Sequence, residues 1–293
     1  MWLPDAHSYS ETVVSALLSG MAIKSGLVGM IRVLEVTDWG SLLLVLGAIT
    51  GIAGVSFAAT AHKPKRILAY HTISQVGYIL LGIGSGTAIG IAAAALHIFF
   101  HGLFKGLLFI SVGDAGVGVD SIYRAKSLSL PLANKIGLAV GSLSIMAVPP
   151  FNGFFSKSLL LEHASRNWVW FVMLMMGFGT VFSFLKLNWS LLIKAGTEKS
   201  GKSDLSIGLF AFAVAVSGPV TWFVVGTGNF RQLFLPQHLI VAFSVIGAAG
   251  LVLASFSDQL KEVNPRTFPF DLDNSLISLF TGFLIIALLL FRL

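Results

Sequence analysis

The chain has 293 residues, of which 55% are hydrophobic and only 11% charged, and its mean hydropathy is +0.87. In a soluble domain of this length, about a quarter of the residues would be charged. The composition therefore excludes a soluble domain and predicts a multi-pass membrane protein. The net charge of +6 does not indicate nucleic-acid binding, because no basic stretch is interleaved with aromatic residues. With no cysteine, disulfides, iron–sulfur ligation and thiolate zinc sites are excluded in this chain.

The first residues, MWLPDAHSYSE, lack the basic and apolar regions of a signal peptide, and we expect them to form a loop between two helices. The apolar runs after them are about 20 residues long and show no period-2 alternation, which predicts helices rather than strands. We therefore expect an all-α transmembrane bundle of about nine spans, near residues 13–33, 40–61, 67–85, 88–112, 131–148, 153–193 with a break, 205–226, 238–257 and 275–292.

The sixth apolar stretch is too long for one span and is interrupted twice. PPFNG at 149–153 ends the preceding helix, and EHASRN at 162–167 interrupts the next apolar run. The sequence predicts a short helix from Phe154 to about Ala164 and a full span from Trp168. A broken helix is therefore expected near 149–167.

Inserting an ionisable residue at the centre of a membrane helix costs roughly 2.5–3.5 kcal/mol on insertion scales, so each such residue calls for a structural or functional explanation. Lys24 lies about halfway along the first span, too deep for its side chain to reach an interface easily, so we expect it to have a function. His71, Ser74 and Gln75 in AYHTISQVGY form a polar patch in the third span. This patch is either an interhelical hydrogen-bonding site or a secondary proton path.

The run LHIFFHGLFKGLLF places His97, His101 and Lys105 at i, i+4 and i+8. Each step of four advances only about 40° around a helix, so the three share a face along roughly 12 Å of axis. Metal binding, structural packing and proton relay are the three interpretations. A lysine adds positive charge and no carboxylate or cysteine completes a metal site, whereas imidazole can accept one proton while releasing another. Relay is favoured.

Lys157 in FNGFFSKSLLL follows the predicted helix break. Irregular backbone at membrane depth is tolerated only where it is buried in protein or lines a watery cavity, so Lys157 is a candidate for an ion path. No loop exceeds about 20 residues, which leaves no room for a nucleotide or flavin domain. We expect no cofactor or metal in this chain and any redox cofactor on partner subunits.

Four blocks in order resemble the antiporter-like subunits of respiratory complex I, of Mrp-type sodium/proton antiporters and of membrane-bound hydrogenases: WLPDAHSYSETVVSALLSG with Lys24, KRILAYHTISQVGYILLGIG, HIFFHGLFKGLLFI and PPFNGFFSKSLLL. The resemblance implies two inverted five-helix bundles, each with a broken helix, joined by a central polar row. It also implies a division into 1–66, the remainder of the first bundle, 67–204, the second bundle, and 205–293, the C-terminal helices.

Carried over by the same resemblance, Lys24 and Lys157 are the broken-helix lysines of the two bundles, and His97, His101 and Lys105 are the connecting relay. The family's first bundle also carries a glutamate that pairs with the lysine numbered 24 here. In this chain no acidic residue lies within the spans between 13 and 112, and the span 40–61 has no ionisable residue in its interior. Either another subunit supplies the missing helices, or the first half-channel has been lost.

The expected function is that of a non-redox transport subunit, translocating H⁺ or Na⁺, in a multisubunit redox-driven or Mrp-type complex of the cytoplasmic (inner) membrane. Its partners would be other membrane subunits and lipid. The alternative is a structural subunit of a membrane arm with an incomplete first half-channel. A membrane enzyme with a histidine-ligated metal is a third, less favoured hypothesis.

Overall fold

The computed structural model describes residues 2–34, 39–114, 122, 128–164, 166–198, 204–225 and 236–262. Two compact units divide the chain, Met1–Val252 and Leu253–Leu293, and the second is described only as far as residue 262. The helices in chain order are α1 (Trp2–Tyr9), α2 (Thr12–Leu17), a π-helical turn (Leu18–Ala22), α3 (Ile23–Leu34), α4 (Gly40–Thr60), α5 (Pro64–Gly84), α6 (Ala88–Asp114), α7 (Leu132–Ile145), α8 (Asn152–Glu162), α9 (Asn167–Asn188), a second π-helical stretch (Trp189–Lys194), α10 (Asp204–Val225) and α11 (Pro236–Glu262).

Long apolar helices dominate the described chain. Six stretches are long and apolar enough to cross a membrane: Thr12–Val33, Gly40–Thr60, Pro64–Gly84, Ala88–Gly113, Asn167–Lys194 and Asp204–Thr221. Leu132–Ile145 and Leu239–Val252 are shorter apolar helices. The prediction of an all-α, multi-pass bundle is confirmed. The predicted span at 275–292 lies outside the described residues, and the three-part division at 66 and 204 stays a prediction.

The first residues form α1, whereas the sequence predicted a loop. Leu3, Pro4 and His7 are buried, so the short helix has an inward face. The start of α5 holds it in place, because Arg66 forms an ion pair with Asp5 (3.0 Å). The Lys65 ammonium also donates to the backbone oxygen of Ser10, just after α1 (2.9 Å). These contacts come from residues more than fifty positions away, which local sequence cannot reveal.

Two three-residue strands also form, where the sequence predicted none. β1 (Ser129–Pro131) pairs in parallel with β2 (Gly196–Glu198), joining the start of α7 to the end of the second π-helical stretch. The segments are far apart in sequence and too short to show a period. Their pairing therefore depends on the helices that bring them together.

The hairpin between α5 and α6 follows from local chemistry. Pro64 opens α5, a position where its missing N–H costs nothing. Gly86 ends the turn with φ of +68°, a left-handed conformation that glycine adopts without strain. The Thr87 hydroxyl then accepts a hydrogen bond from Gly90 N (3.0 Å) at the start of α6. The two helices are consequently antiparallel neighbours.

Helices α4 and α5 pack with their backbones in close contact through glycines. A Cβ atom at Gly77 would lie 2.5 Å from the Cα of Gly51, and one at Gly54 would lie 2.5 Å from the backbone nitrogen of Ser74. Such small-residue contacts let helices approach closely in lipid, where no hydrophobic force drives them together. These glycines therefore set the distance between α4 and α5.

We expect the Gly77→Leu substitution to separate α4 from α5. Overpacking a close-packed interior typically costs about 1–3 kcal/mol, so the melting temperature of the purified protein in detergent should fall clearly. Gly208→Leu is the matched control, because no atom lies within 4 Å of a Cβ at that position in α10. Equal melting temperatures for the two variants would contradict the close packing.

Helix α6 is the centre of the bundle. It packs against α2, α5, α7, α8 and α10, and its 27 residues correspond to about 40 Å of helix. Side chains on several faces of α6 therefore point into protein rather than lipid. An ionisable group in the middle of α6 is therefore shielded from both lipid and bulk water.

The broken helix is confirmed. α7 ends at Ile145, α8 covers Asn152–Glu162 and α9 begins at Asn167. Ala147 has a left-handed φ of +58°, and the backbone of Gly153 packs so closely on the Ser144 carbonyl oxygen that a side chain could not fit there. The break therefore turns the start of α8 back against the end of α7, which fixes where the residues of α8 lie.

Candidate functional site

The three ionisable residues of α6 lie in the protein interior. His97, His101 and Lys105 each have a relative exposure of 0%. The two imidazole rings lie nearly parallel, with centroids 6.0 Å apart and planes 14° from each other. The spacing of four residues thus places His97, His101 and Lys105 in a row along one side of α6, as the sequence predicted.

His97 connects three helices. Its Nε2 lies 3.2 Å from Gln75 Oε1 on α5, and its Nδ1 lies 2.9 Å from Ser156 Oγ on α8. The donor and acceptor roles of the two ring nitrogens depend on the tautomer of His97. Through these contacts the row on α6 is joined directly to the helix that carries Lys157.

The next two members of the row are less constrained. Neither ring nitrogen of His101 has a hydrogen-bond partner in the described part of the chain. The Lys105 ammonium donates to the backbone oxygen of Leu68 on α5. A buried imidazole without a protein partner is costly unless water or a changing neighbour satisfies it, which marks His101 as a candidate for function.

Lys157 follows Ser156 on α8 and is buried. Its ammonium donates to the backbone oxygen of Ile145, the last residue of α7 (2.7 Å), and lies 4.8 Å above the ring of Tyr78. Tyr78 in turn donates its hydroxyl to Met173 O on α9 (2.6 Å). The carbonyl at the broken helix end is thus satisfied by the lysine rather than by backbone.

A cavity of about 100 Å³ adjoins Lys157. Its lining includes Tyr78, Met146, Lys157, Glu162, Trp170 and Val241. This volume holds several water molecules, and the lysine and glutamate supply polar partners for them. The sequence left two settings open for the helix break, burial in protein or the lining of a watery cavity, and Met146 at the break lines this cavity.

Lys24 lies directly after the π-helical turn in the helix formed by α2 and α3. The lysine is 6% exposed, and its ammonium has no hydrogen-bond partner among the residues that the structure describes. No carboxylate in that part of the chain forms a salt bridge with Lys24, Lys105 or Lys157. The buried row is thus exclusively cationic or neutral.

The patch on α5 is buried as well. His71, Ser74 and Gln75 are each 0% exposed, and the His71 ring lies 4.9 Å from that of Phe184. Both His71 nitrogens and the Ser74 hydroxyl have no partner in the described chain. Gln75 joins this patch to the row through His97, so the two candidate paths meet at one residue.

Three buried polar groups were missed by reasoning from sequence. Ser156 precedes Lys157 and gave only a weak signal, since serine is common in membrane helices. His7 lies in the segment for which the sequence predicts a loop, yet it is 0% exposed. Lys186 lies near the end of its apolar stretch, and its ammonium donates to Ala59 O and Ala61 O and caps the end of α4. Only the position of distant backbone could have revealed the last two.

Comparison of the sequence with known proteins identifies the family of this chain. The model described as NADH:quinone oxidoreductase/Mrp antiporter, transmembrane, matches residues 1–183. Formate hydrogenlyase subunit 3 of Escherichia coli (strain K12) is 34% identical over 55% of this chain and 30% of its own. NADH-quinone oxidoreductase subunit N of Desulforudis audaxviator is 30% identical over 88% of this chain and 51% of its own.

The fold has a counterpart among solved structures. A chain of the Mrp complex from Dietzia sp. DQ12-45-1b superposes with a TM-score of 0.69, at 20% identity, over 84% of this chain and 57% of that one. The chain therefore spans little more than half the length of these proteins at most. The resemblance inferred from the four sequence blocks is confirmed.

Proposed function

The chain belongs to the NADH:quinone oxidoreductase/Mrp antiporter transmembrane family, and from this premise we propose that it translocates protons along a lysine–histidine–lysine relay. As an antiporter-like membrane subunit, it would carry protons through His101, His97 and Ser156 between Lys105 and Lys157. The observation that carries the proposal is the double hydrogen bond of His97, which bridges α5, α6 and α8.

Protons are favoured over sodium by the chemistry of the row. Sodium ions need oxygen ligands, whereas lysine offers only donors and imidazole offers one nitrogen lone pair. No carboxylate pairs with Lys24, Lys105 or Lys157 in the described chain. A cationic row repels a metal cation, but it can pass a proton from one nitrogen to the next.

We also propose that other membrane subunits complete the assembly in the cytoplasmic membrane. The buried, unpartnered ammonium of Lys24 would be balanced by a carboxylate from outside the described residues. The helix that carries Lys24 exposes Val13, Leu17, Met21 and Val28, so it has an apolar side on which further helices can pack. The driving redox reaction, if there is one, would take place on those partners.

The His101→Gln substitution tests the relay. Glutamine keeps polar atoms in the row but cannot be protonated, so proton transport by the complex in proteoliposomes should fall by about 10² or more. His163→Gln, at the end of α8 and outside the row, should retain transport. Unchanged transport in His101→Gln, in a complex that still assembles, would instead support the structural-subunit hypothesis.

A further inference from the structure

His7 is a buried imidazole that has no part in the proposed relay. It is 0% exposed, and neither ring nitrogen has a hydrogen-bond partner among the described residues. The ring stacks on Phe109 of α6, with centroids 4.5 Å apart and planes 18° from each other. Phe109 lies one turn beyond Lys105, and the Lys105 ammonium lies 5.7 Å from the same ring. The His7 imidazole and the Lys105 ammonium thus both lie close to the Phe109 ring.

The surroundings of His7 lead to the surface of the bundle. Two residues away, Asp5 forms an exposed ion pair with Arg66. The Ser15 hydroxyl, itself buried, donates to His7 O (3.2 Å) and lies 2.7 Å from the half-buried Ser10 hydroxyl. Lys65 reaches the Ser10 carbonyl from α5. Polar groups therefore lie between the surface of the bundle and the backbone of His7.

We propose that His7 is the proton port of the relay at the face where α5 begins and α6 ends. It would take protons arriving by the polar groups around Ser10 and Ser15 and exchange them with Lys105 through a water-bridged step. The inference rests on the proposed function, because a port needs a relay to serve.

The two ends of the relay would then open at different depths. α5 and α6 are antiparallel, and His7 lies against the residues that end α6, close to the start of α5. Tyr78, which contacts Lys157, lies in the second half of α5 and lines the cavity there. Protons entering at His7 would therefore travel along α6 before leaving through the cavity.

Three lysines among the described residues act electrostatically on His7. Burial, followed by Lys105 on α6, Lys24 on α3 and Lys65 on α5, lowers the pKa of His7 to about 3. The resting imidazole is consequently neutral at physiological pH, with one N–H and one free lone pair. Such a group does not trap the proton it receives, which suits a port.

The experiment compares His7→Gln, His7→Phe and His7→Ala in the assembled complex, reconstituted in proteoliposomes with a fluorescent pH indicator. His7→Phe keeps a ring that can stack on Phe109 but removes both nitrogens. If His7 is the port, both His7→Gln and His7→Phe lose about tenfold or more of proton flux, the expected effect of deleting a proton-transfer group. In His7→Ala, added imidazole should restore flux in proportion to its concentration.

The controls separate this proposal from the proposed function. Wild-type flux in assembled His7→Phe, or no restoration by imidazole in an assembled His7→Ala complex, overturns the port. If Lys105→Met has lost flux in the same preparation, the relay stands and only the port fails. If Lys105→Met also transports normally, the proposed function fails with it. Ser8→Ala, beside His7 on α1, should transport as the wild type does.

Discussion

We expect the Lys105→Met substitution to abolish proton translocation and to leave the bundle assembled. Methionine matches the buried lysine side chain as far as Cε but lacks the ammonium, so the row on α6 is interrupted while most of the side-chain volume is kept. Loss of a positioned proton-transfer group lowers rates by about 10²–10⁴. The measurement is proton flux in proteoliposomes that contain the complex, normalised to the amount of assembled complex.

Lys186→Met is the matched control for Lys105. Both lysines are buried in the same bundle and donate to backbone carbonyls of another helix or its end, Lys105 to Leu68 and Lys186 to Ala59 and Ala61. The Lys186 variant should lose part of the cap of α4 and some thermal stability, yet keep its transport. Comparable losses of flux in the two variants would mean that a buried ammonium matters only for structure.

The sequence predicts the row on α6 well because its information is local. A spacing of four residues places His97, His101 and Lys105 on one face of any α-helix, whatever surrounds it. The broken helix is equally local, since the pair Pro149 and Pro150 cannot continue a helix. Both features follow from backbone geometry.

The links between helices could not be predicted in this way. The contact of His97 with Ser156 joins residues 59 positions apart, and it exists because Gly153 lets the start of α8 press against the end of α7. The burial of His7 likewise depends on the docking of α1 by Lys65 and Arg66. Hydropathy and hydrophobic periodicity describe one helix at a time and do not predict contacts between helices.

The π-helical turn before Lys24 shows a further limit. The sequence LSGMA from Leu18 to Ala22 contains no residue type that signals one extra residue per turn. Such turns occur mostly inside α-helices and are frequent at functional sites. The resemblance implied a broken helix beside Lys24, and the structure has a local widening of the helix there.

Lys157→Arg separates charge from proton exchange at the other end of the relay. Arginine keeps the positive charge, but in proteins it does not release its proton. The cavity of about 100 Å³ beside Lys157 gives the larger side chain space, so we expect the variant to fold. If Lys157 hands protons to that cavity, proton flux should fall by about 10²-fold despite the retained charge.

Two companion variants complete the test at Lys157. Lys157→His restores a group that titrates, so it should recover a measurable part of the flux that Lys157→Arg loses. Lys135→Arg controls for the substitution itself, because Lys135 also donates to backbone carbonyls, at Leu192 and Ala195, but lies outside the row. Wild-type flux in Lys157→Arg would show that a fixed charge is sufficient, and protons would then have to leave the row by way of His71 and the patch on α5.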